Sequence, residues 1–366
     1  MRTQHPDLSA YVVAGRVASR LPDDVPNETA VRTPRQGLAD AVEAEQLGFR
    51  RIFFSERWNL KEAGVFLGAV GARTEHLGLA TGLVSPARRH LLHMAAFGAT
   101  MQAMFGERFV LGLGRGDHGY LKHEGLRTAG YDGIVDYVQL LHRLWAGEVV
   151  THDGPAGRYE SIKLGDVHQG APPEVWSGSF ALPRAAAAAA TAFDGVILPP
   201  LFTPDAVAAA VARLREACER IDRDPASLRV VACVITAPDL AQDEARALAH
   251  ARAVTYLQAK EYGDATVRAN GWDPEPVQRL RAHQQLTSGE MADTAFHRIE
   301  LLEPARLVPD SWIEESCALG STADVVARLQ DYRAAGADEV ATYGSTPGQN
   351  AAVAAAWRTP VPVGAR

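Results

Sequence analysis

The chain has 366 residues, 47% of them apolar and 22% charged, and a formal net charge of −7. This is ample material for a large core, and an α/β barrel of this length folds as one domain, so a single domain over 1–366 is expected. Net negative charge without a basic run excludes a nucleic-acid or anionic-membrane role on electrostatic grounds, and no apolar stretch reaches membrane-spanning length.

In chain order, short β-type runs alternate with helical ones. YVVAGRV (Tyr11–Val17) reads as a first strand, and Pro34–Leu47 as a helix with proline in its first turn and Gly48 as its stop. RIFFS (Arg51–Ser55) is a second strand, Glu62–Arg73 a helix, and LGLATGLV (Leu77–Val84) a third strand. His90–Phe105 is helical and RFVLGL (Arg108–Leu113) a fourth strand. Tyr131–Trp145 is a helix, and 148–163, with THDGPAGRYE, reads as a hairpin insertion. EVWSG (Glu174–Gly178), GVIL (Gly195–Leu198) and LRVVACVIT (Leu228–Thr236) are strands five to seven, separated by helices at Pro183–Ala192 and Pro204–Ile221. Residues 241–302 read as a helical insertion before the last strand. A helix at Ser321–Ala335 and an eighth strand, DEVATYG (Asp338–Gly344), close the series. Eight strands with intervening helices fit a (β/α)₈ barrel, with a doubly wound sheet as the competing arrangement.

The N-terminus, MRTQHPDLSAYVVAG, lacks a charged region followed by a long apolar one. Cys218, Cys233 and Cys317 lie far apart without a C-x-x-C, so neither a disulfide framework nor a zinc site is expected, and a cytoplasmic location is. His90 and His93 have i, i+3 spacing but no third ligand, so no metal is expected there.

GRGDHG (Gly114–Gly119) matches the dinucleotide fingerprint G-x-G-x-x-G. A phosphate loop of that kind must open a helix and close a βαβ unit within about 30 residues. Gly125 and Gly130 interrupt any helix after this one, and no strand follows at the right distance. At the end of a fourth barrel strand the loop instead belongs to the C-terminal mouth, where glycines let a ligand approach the backbone.

Five strings in order resemble the bacterial luciferase-like flavin and deazaflavin oxidoreductases: AEQLGFRRIFFSERW, HLGLATGLVSPARRH, FGERFVLGLGRGD, FDGVIL and LGSTADVVARLQDYRAAGADEVATYG. GLGRGD and TGLVSPARRH make the chain most similar to the branch that uses coenzyme F420, a deazaflavin hydride carrier. The resemblance implies a luciferase-like TIM barrel, usually a homodimer, that moves a hydride between the cofactor and a small organic molecule at the barrel mouth. Alternatives are an FMN-dependent monooxygenase of the same fold and a barrel that binds a flavin or deazaflavin without catalysis.

The same resemblance nominates site residues. Strand two ends in Ser55-Glu56-Arg57, where the family often has Asp-His. Arg57 is a holder of an anionic ring or carboxylate, and Glu56 orients it or relays a proton. After strand three, Thr81, Gly82 and Leu83 map onto a bulge that supports the ring from behind, with a cis peptide expected at Gly82–Leu83. Gly114 and Gly116 approach the cofactor, and Asp117 takes the place of a family Glu that serves as acid. Ser177, Gly178, Ser179 and Phe180 form a small-residue turn expected to cradle the cofactor phosphate through backbone N–H groups. Trp58, Arg89, His90, His118 and Tyr120 are expected to line the substrate side. LPPLFTPDAV, after strand six, has no lysine, which disfavours a sugar-phosphate substrate.

Overall fold

The computed structural model describes residues 7–13, 33–56, 61–116, 118–167 and 169–358, without the side chains of Tyr120 and Thr294. Eight parallel strands close into a barrel: β1 (Leu8–Tyr11), β2 (Arg51–Phe54), β3 (Gly78–Thr81), β4 (Phe109–Leu113), β7 (Glu174–Gly178), β8 (Gly195–Leu198), β9 (Arg229–Pro238) and β11 (Glu339–Tyr343). The ring is closed by β8 on β9 and by β11 on both β9 and β1. A doubly wound sheet is thereby excluded. The fingerprint-like glycines end a barrel strand, and the six-residue helix His118–His123 that follows stops before Gly125, which sits at positive φ, as the reading of an interrupted helix expects.

Strands buried on both faces explain why they read as continuous apolar runs. On β2, Ile52 and Phe54 pack outward under the helices, while Phe53 points into the barrel with Ala80, Val110 and Trp176. Helices are started by matched caps: Thr33 with Gln36 opens α1 (Pro34–Gln46), and Ser321 with Asp324 opens the helix Thr322–Ala334.

Two strand assignments differ from expectation. The first strand is Leu8–Tyr11, not Tyr11–Val17, of which residues 14–17 lie outside the described residues. Register decides this, because Leu8 pairs with Val340 and Ala10 with both Thr342 and Ile52. Ser9 disguised the strand; it is fully buried and its hydroxyl donates to Glu339 at 2.5 Å. Glu339, also fully buried, accepts from Arg51 (2.9 Å) and Arg229 (3.2 Å), tying four strands together low in the barrel.

The second difference is an extra strand, β10 (Cys317–Gly320), which follows the helix Asp310–Ser316 with no turn residues to announce it. β8 leaves the edge of β9 at Ala232. Ile235 then pairs with Tyr343 on one side and Cys317 on the other, so β10 continues the edge that β8 vacates.

Between β4 and β7, β5 (Val150–Gly154) and β6 (Gly157–Ile162) form an antiparallel hairpin. The segment after β9 is helical, with α8 (Gln242–Gln258) and α9 (Lys260–Asn270) its longest pieces, and helices recur as far as Ser316, beyond the expected limit of Leu302. Its buried side chains, among them Leu248, Val254 and Trp312, are continuous with the residues inside the barrel. Trp272 stacks on Trp312 at 4.4 Å.

Candidate active site

A cavity of about 480 Å³ opens among the C-terminal strand ends. Its walls come from the loops after β2, β3, β4, β7 and β8, from Tyr343 on β11 and from α8 and α9. This is the face on which TIM-barrel chemistry sits, because strand ends and βα loops converge there.

On one wall the chain bulges after β3. The Gly82–Leu83 peptide is cis. Gly82 N–H donates to Phe54 O (2.8 Å), and the Ser55 hydroxyl donates to Gly82 O (2.5 Å), so the end of β2 fixes the bulge. Thr81 is fully buried beneath it and does not reach the cavity; its hydroxyl donates to Gly112 O (2.8 Å) and accepts from Gly112 N–H (2.7 Å). The Leu83 side chain packs between two glycines. A Cβ on Gly178 would fall 2.0 Å, and one on Gly114 2.9 Å, from Leu83 Cδ1. Both positions demand glycine for close approach.

Glu56 lines the cavity but its carboxylate is engaged. It accepts from the Arg89 guanidinium and from Ala63 N–H (3.1 Å), which opens α2 (Ala63–Gly71). Arg89 also binds Glu62 and lies over the Phe97 ring. These contacts make Glu56 and Arg89 a clamp between the ends of β2 and β3, and Arg89 does not line the cavity. His90 caps α3 (Leu91–Phe105), accepting from Leu92 N–H at Nδ1 (3.2 Å), and packs edge-on against Tyr159. His118 is exposed beside Thr128. Neither histidine borders the cavity. Arg57, Trp58 and Asp117 lie outside the described residues, as does the Tyr120 side chain.

The turn after β7 is only partly open to a ligand. Ser177 and Gly178 are the last residues of β7, paired with β4 and β8, and Ser179 N–H donates to Ile197 O (3.1 Å), so all three amides expected to cradle the phosphate belong to the sheet ladder. Ser179 Oγ accepts from Ala181 N–H (3.0 Å), which leaves its own proton to donate. The Phe180 amide has no acceptor among the described residues. Opposite, Ser85 is 8% exposed and its hydroxyl has no partner among the described residues, yet it borders the cavity beside Gly116. Cations gather at this edge. Arg115 (4.2 Å) and Arg184 (5.5 Å) lie over the Tyr131 ring, and Arg88 holds Glu124 in a bidentate pair.

The remaining wall is aromatic, and sequence reading named only Phe180 of it. Tyr11, Tyr256, Tyr262 and Tyr343 border the cavity with Phe180. Tyr256 and Tyr343 share a hydroxyl–hydroxyl bond of 2.6 Å. Tyr343 sat inside the eighth strand as an anonymous β-former. Tyr256 and Tyr262 sat in the insertion, with no motif to mark them. Among the described residues no group of three His, Cys, Asp or Glu could hold a metal ion, and no helix is long and apolar enough to cross a membrane.

A closed (β/α)₈ barrel with a ligand-sized cavity at its C-terminal mouth, a non-proline cis bulge after the third strand and a glycine-packed wall defines the luciferase-like class of TIM barrels. Residues 15–339 match the luciferase-like monooxygenase family, and the chain belongs to it. An F420-dependent glucose-6-phosphate dehydrogenase of Nakamurella multipartita is 31% identical over 204 residues, 50% of this chain and 60% of that protein. The chain thus spans less than two thirds of that relative's length. A 5,10-methylenetetrahydromethanopterin reductase of Methanolobus tindarius is 24% identical over 312 residues, covering 84% of this chain and 89% of the relative. In fold, the coenzyme F420-dependent tetrahydromethanopterin reductase of Methanopyrus kandleri superposes with a TM-score of 0.74 at 19% identity, covering 94% of this chain and 98% of that one.

Proposed function

We propose that the protein is an F420-dependent oxidoreductase that transfers a hydride between the deazaflavin and a small organic substrate. The observation that carries this reading is the polarised mouth. One edge has the bulge and Leu83 cradled by Gly114 and Gly178, next to a buried Ser85 hydroxyl without a partner among the described residues and a cluster of arginines. These features fit a flat ring with an anionic tail. Relatives over both partial and nearly full length are named for F420 or for tetrahydromethanopterin chemistry, which supports the same choice.

In this reading Leu83 backs the ring. The Ser179 hydroxyl and the Phe180 N–H meet the phosphate, with Arg115 and Arg184 near the acidic tail. The bound deazaflavin supplies a two-electron hydride donor or acceptor. Asp117, between Gly116 and the helix at His118, exchanges the accompanying proton with the substrate. Glu56 keeps Arg89 and the start of α2 in place, which fixes the bulge from the side; Arg57 holds an anionic ring or carboxylate and Trp58 contributes to the substrate side. The protein works as a homodimer in the cytoplasm. Supporting the first, α2 presents Gly64, Val65, Gly68 and Ala69 outward without a charge, Val65 being 78% exposed, and Met104 on the adjoining α3 is 61% exposed. Supporting the second, all three cysteines are buried free thiols.

The test is fluorescence titration of the purified protein with F420 and, separately, FMN. Saturable F420 binding that FMN does not displace is expected. Preferential FMN binding would move the protein to the monooxygenase reading, and binding of neither would end both. Val65→Glu should convert the dimer to a monomer in sedimentation equilibrium; a monomeric wild type refutes the dimer.

A further inference from the structure

One arc of the mouth is built from aromatic rings supplied by five separate elements. Phe180, Tyr262, Tyr256, Tyr343 and Tyr11 follow one another at centroid separations of 4.7, 4.8, 6.2 and 5.1 Å. The arc meets the bulge, because a Cβ on Gly82 would fall 2.8 Å from Tyr11 Cε1 and 3.1 Å from its hydroxyl. Any ligand held on the bulge therefore has this arc beside it.

The arc has donors and no net charge. Four phenols carry four O–H groups, of which one is used in the Tyr256–Tyr343 bond; the others have no acceptor among the described residues. Burial pushes the Tyr11, Tyr256 and Tyr262 hydroxyls above the usual phenol range, so they remain protonated donors at neutral pH. The nearest cation, Arg252, stands over the Tyr343 ring at 5.2 Å and is paired with Asp293 at 3.1 Å. Of the charged groups that border the cavity, Glu56 is paired with Arg89 and Arg88 with Glu124; Arg115 keeps its charge but lies over the Tyr131 ring, which is not part of the arc, and Glu261 is exposed. An anion moved from water onto this wall loses its hydration without gaining a counter-charge.

We infer that this aromatic arc is the substrate chamber, and that it takes an uncharged, largely apolar molecule whose single carbonyl or hydroxyl oxygen is hydrogen-bonded by the Tyr256–Tyr343 pair. The inference rests on the proposed oxidoreductase reading only in calling the ligand a substrate. It sets this chain apart from relatives named for a sugar phosphate, whose ligand is a dianion.

The experiment uses cyclohexanone as the neutral probe and glucose 6-phosphate as the anionic one, each titrated by ligand-observed NMR against the full chain with and without F420. The wild type is expected to bind cyclohexanone, and glucose 6-phosphate is expected not to displace it. Either phenol alone can still donate, so the deciding variant is Tyr256→Phe/Tyr343→Phe. It should bind cyclohexanone about five- to tenfold more weakly, the effect of one lost neutral hydrogen bond, with F420 affinity unchanged. Competitive binding of glucose 6-phosphate, or wild-type affinity for cyclohexanone in the double variant, overturns the inference. If F420 fails to bind while the probe and its sensitivity to the double variant persist, the cofactor reading falls and the chamber stands.

Discussion

Gly178→Ala is the sharpest probe of the ring-support wall. The added methyl would fall 2.0 Å from Leu83 Cδ1, 3.0 Å from Cγ and 3.1 Å from Cδ2, so the whole isobutyl group must move rather than one methyl. Leu83 Cδ1 already lies close to Gly114, 2.9 Å from where a Cβ would sit there, which leaves little room on that side. The open direction is the cavity. Without cofactor, Leu83 swings into that space and stability changes little. With cofactor, it must be forced back against the new methyl, and an overpacking cost of about 1–3 kcal/mol falls on binding. That corresponds to roughly 5- to 150-fold weaker F420 affinity by fluorescence titration, with a thermal midpoint near that of the wild type. Removing the clash from the other side should undo the effect. The Leu83→Ala/Gly178→Ala double variant should bind F420 within about threefold of Leu83→Ala alone, because the cost is a pairwise term that a double-mutant cycle isolates. Wild-type affinity in Gly178→Ala, or a double variant weaker by the full single-variant penalty, refutes the idea that Leu83 transmits the substitution.

Two further outcomes are expected. Asp117→Asn keeps the side chain's size and removes its proton exchange; F420 affinity should stay within a few-fold while turnover of any substrate the wild type accepts falls by roughly 10²–10⁴, and full activity would remove Asp117 from the chemistry. Burial depresses the imidazoles of His142, His250 and His297, against partial opposition from Asp194, Asp310 and Glu300 respectively. Below the ordinary histidine pKa of about 6.5 the unfolded chain therefore binds more protons than the folded one, and stability declines as pH falls. Urea midpoints should drop between pH 7.5 and 5.5, and His297→Asn should flatten that slope; equal midpoints at the two pH values would contradict the assignment.

Much of the barrel was legible because punctuation and burial coincide. Strands at 174–178 and 195–198 and the helix at 183–192 have the expected limits, since Pro and Gly bound short runs that are apolar on both faces. The family resemblance also marked T-G-L-V and S-G-S-F as cofactor-side strand ends, and the structure brings Gly82, Leu83, Val84 and all of S-G-S-F to the cavity, with Thr81 buried beneath it. Three features had no local signal. Ser9 is a strand residue because a carboxylate 330 positions later receives its proton. Cys317–Gly320 is a strand because β8 stops short and leaves an unpaired edge on β9. Glu56 and Arg89, read as separate candidates for proton relay and substrate contact, neutralise one another across the ends of β2 and β3. By itself, then, the sequence determined the alternating elements and the glycine loops between them, which depend on periodicity and turn chemistry within a few residues; closure into a barrel and not a doubly wound sheet came from the family resemblance and from the pairing of β8, β9 and β11. The tertiary structure decided which side chains share the mouth. Tyr11, Tyr256, Tyr262 and Tyr343 become one wall only when the barrel closes and the insertion folds over it, because contacts between residues up to 332 positions apart are set by packing and not by local pattern.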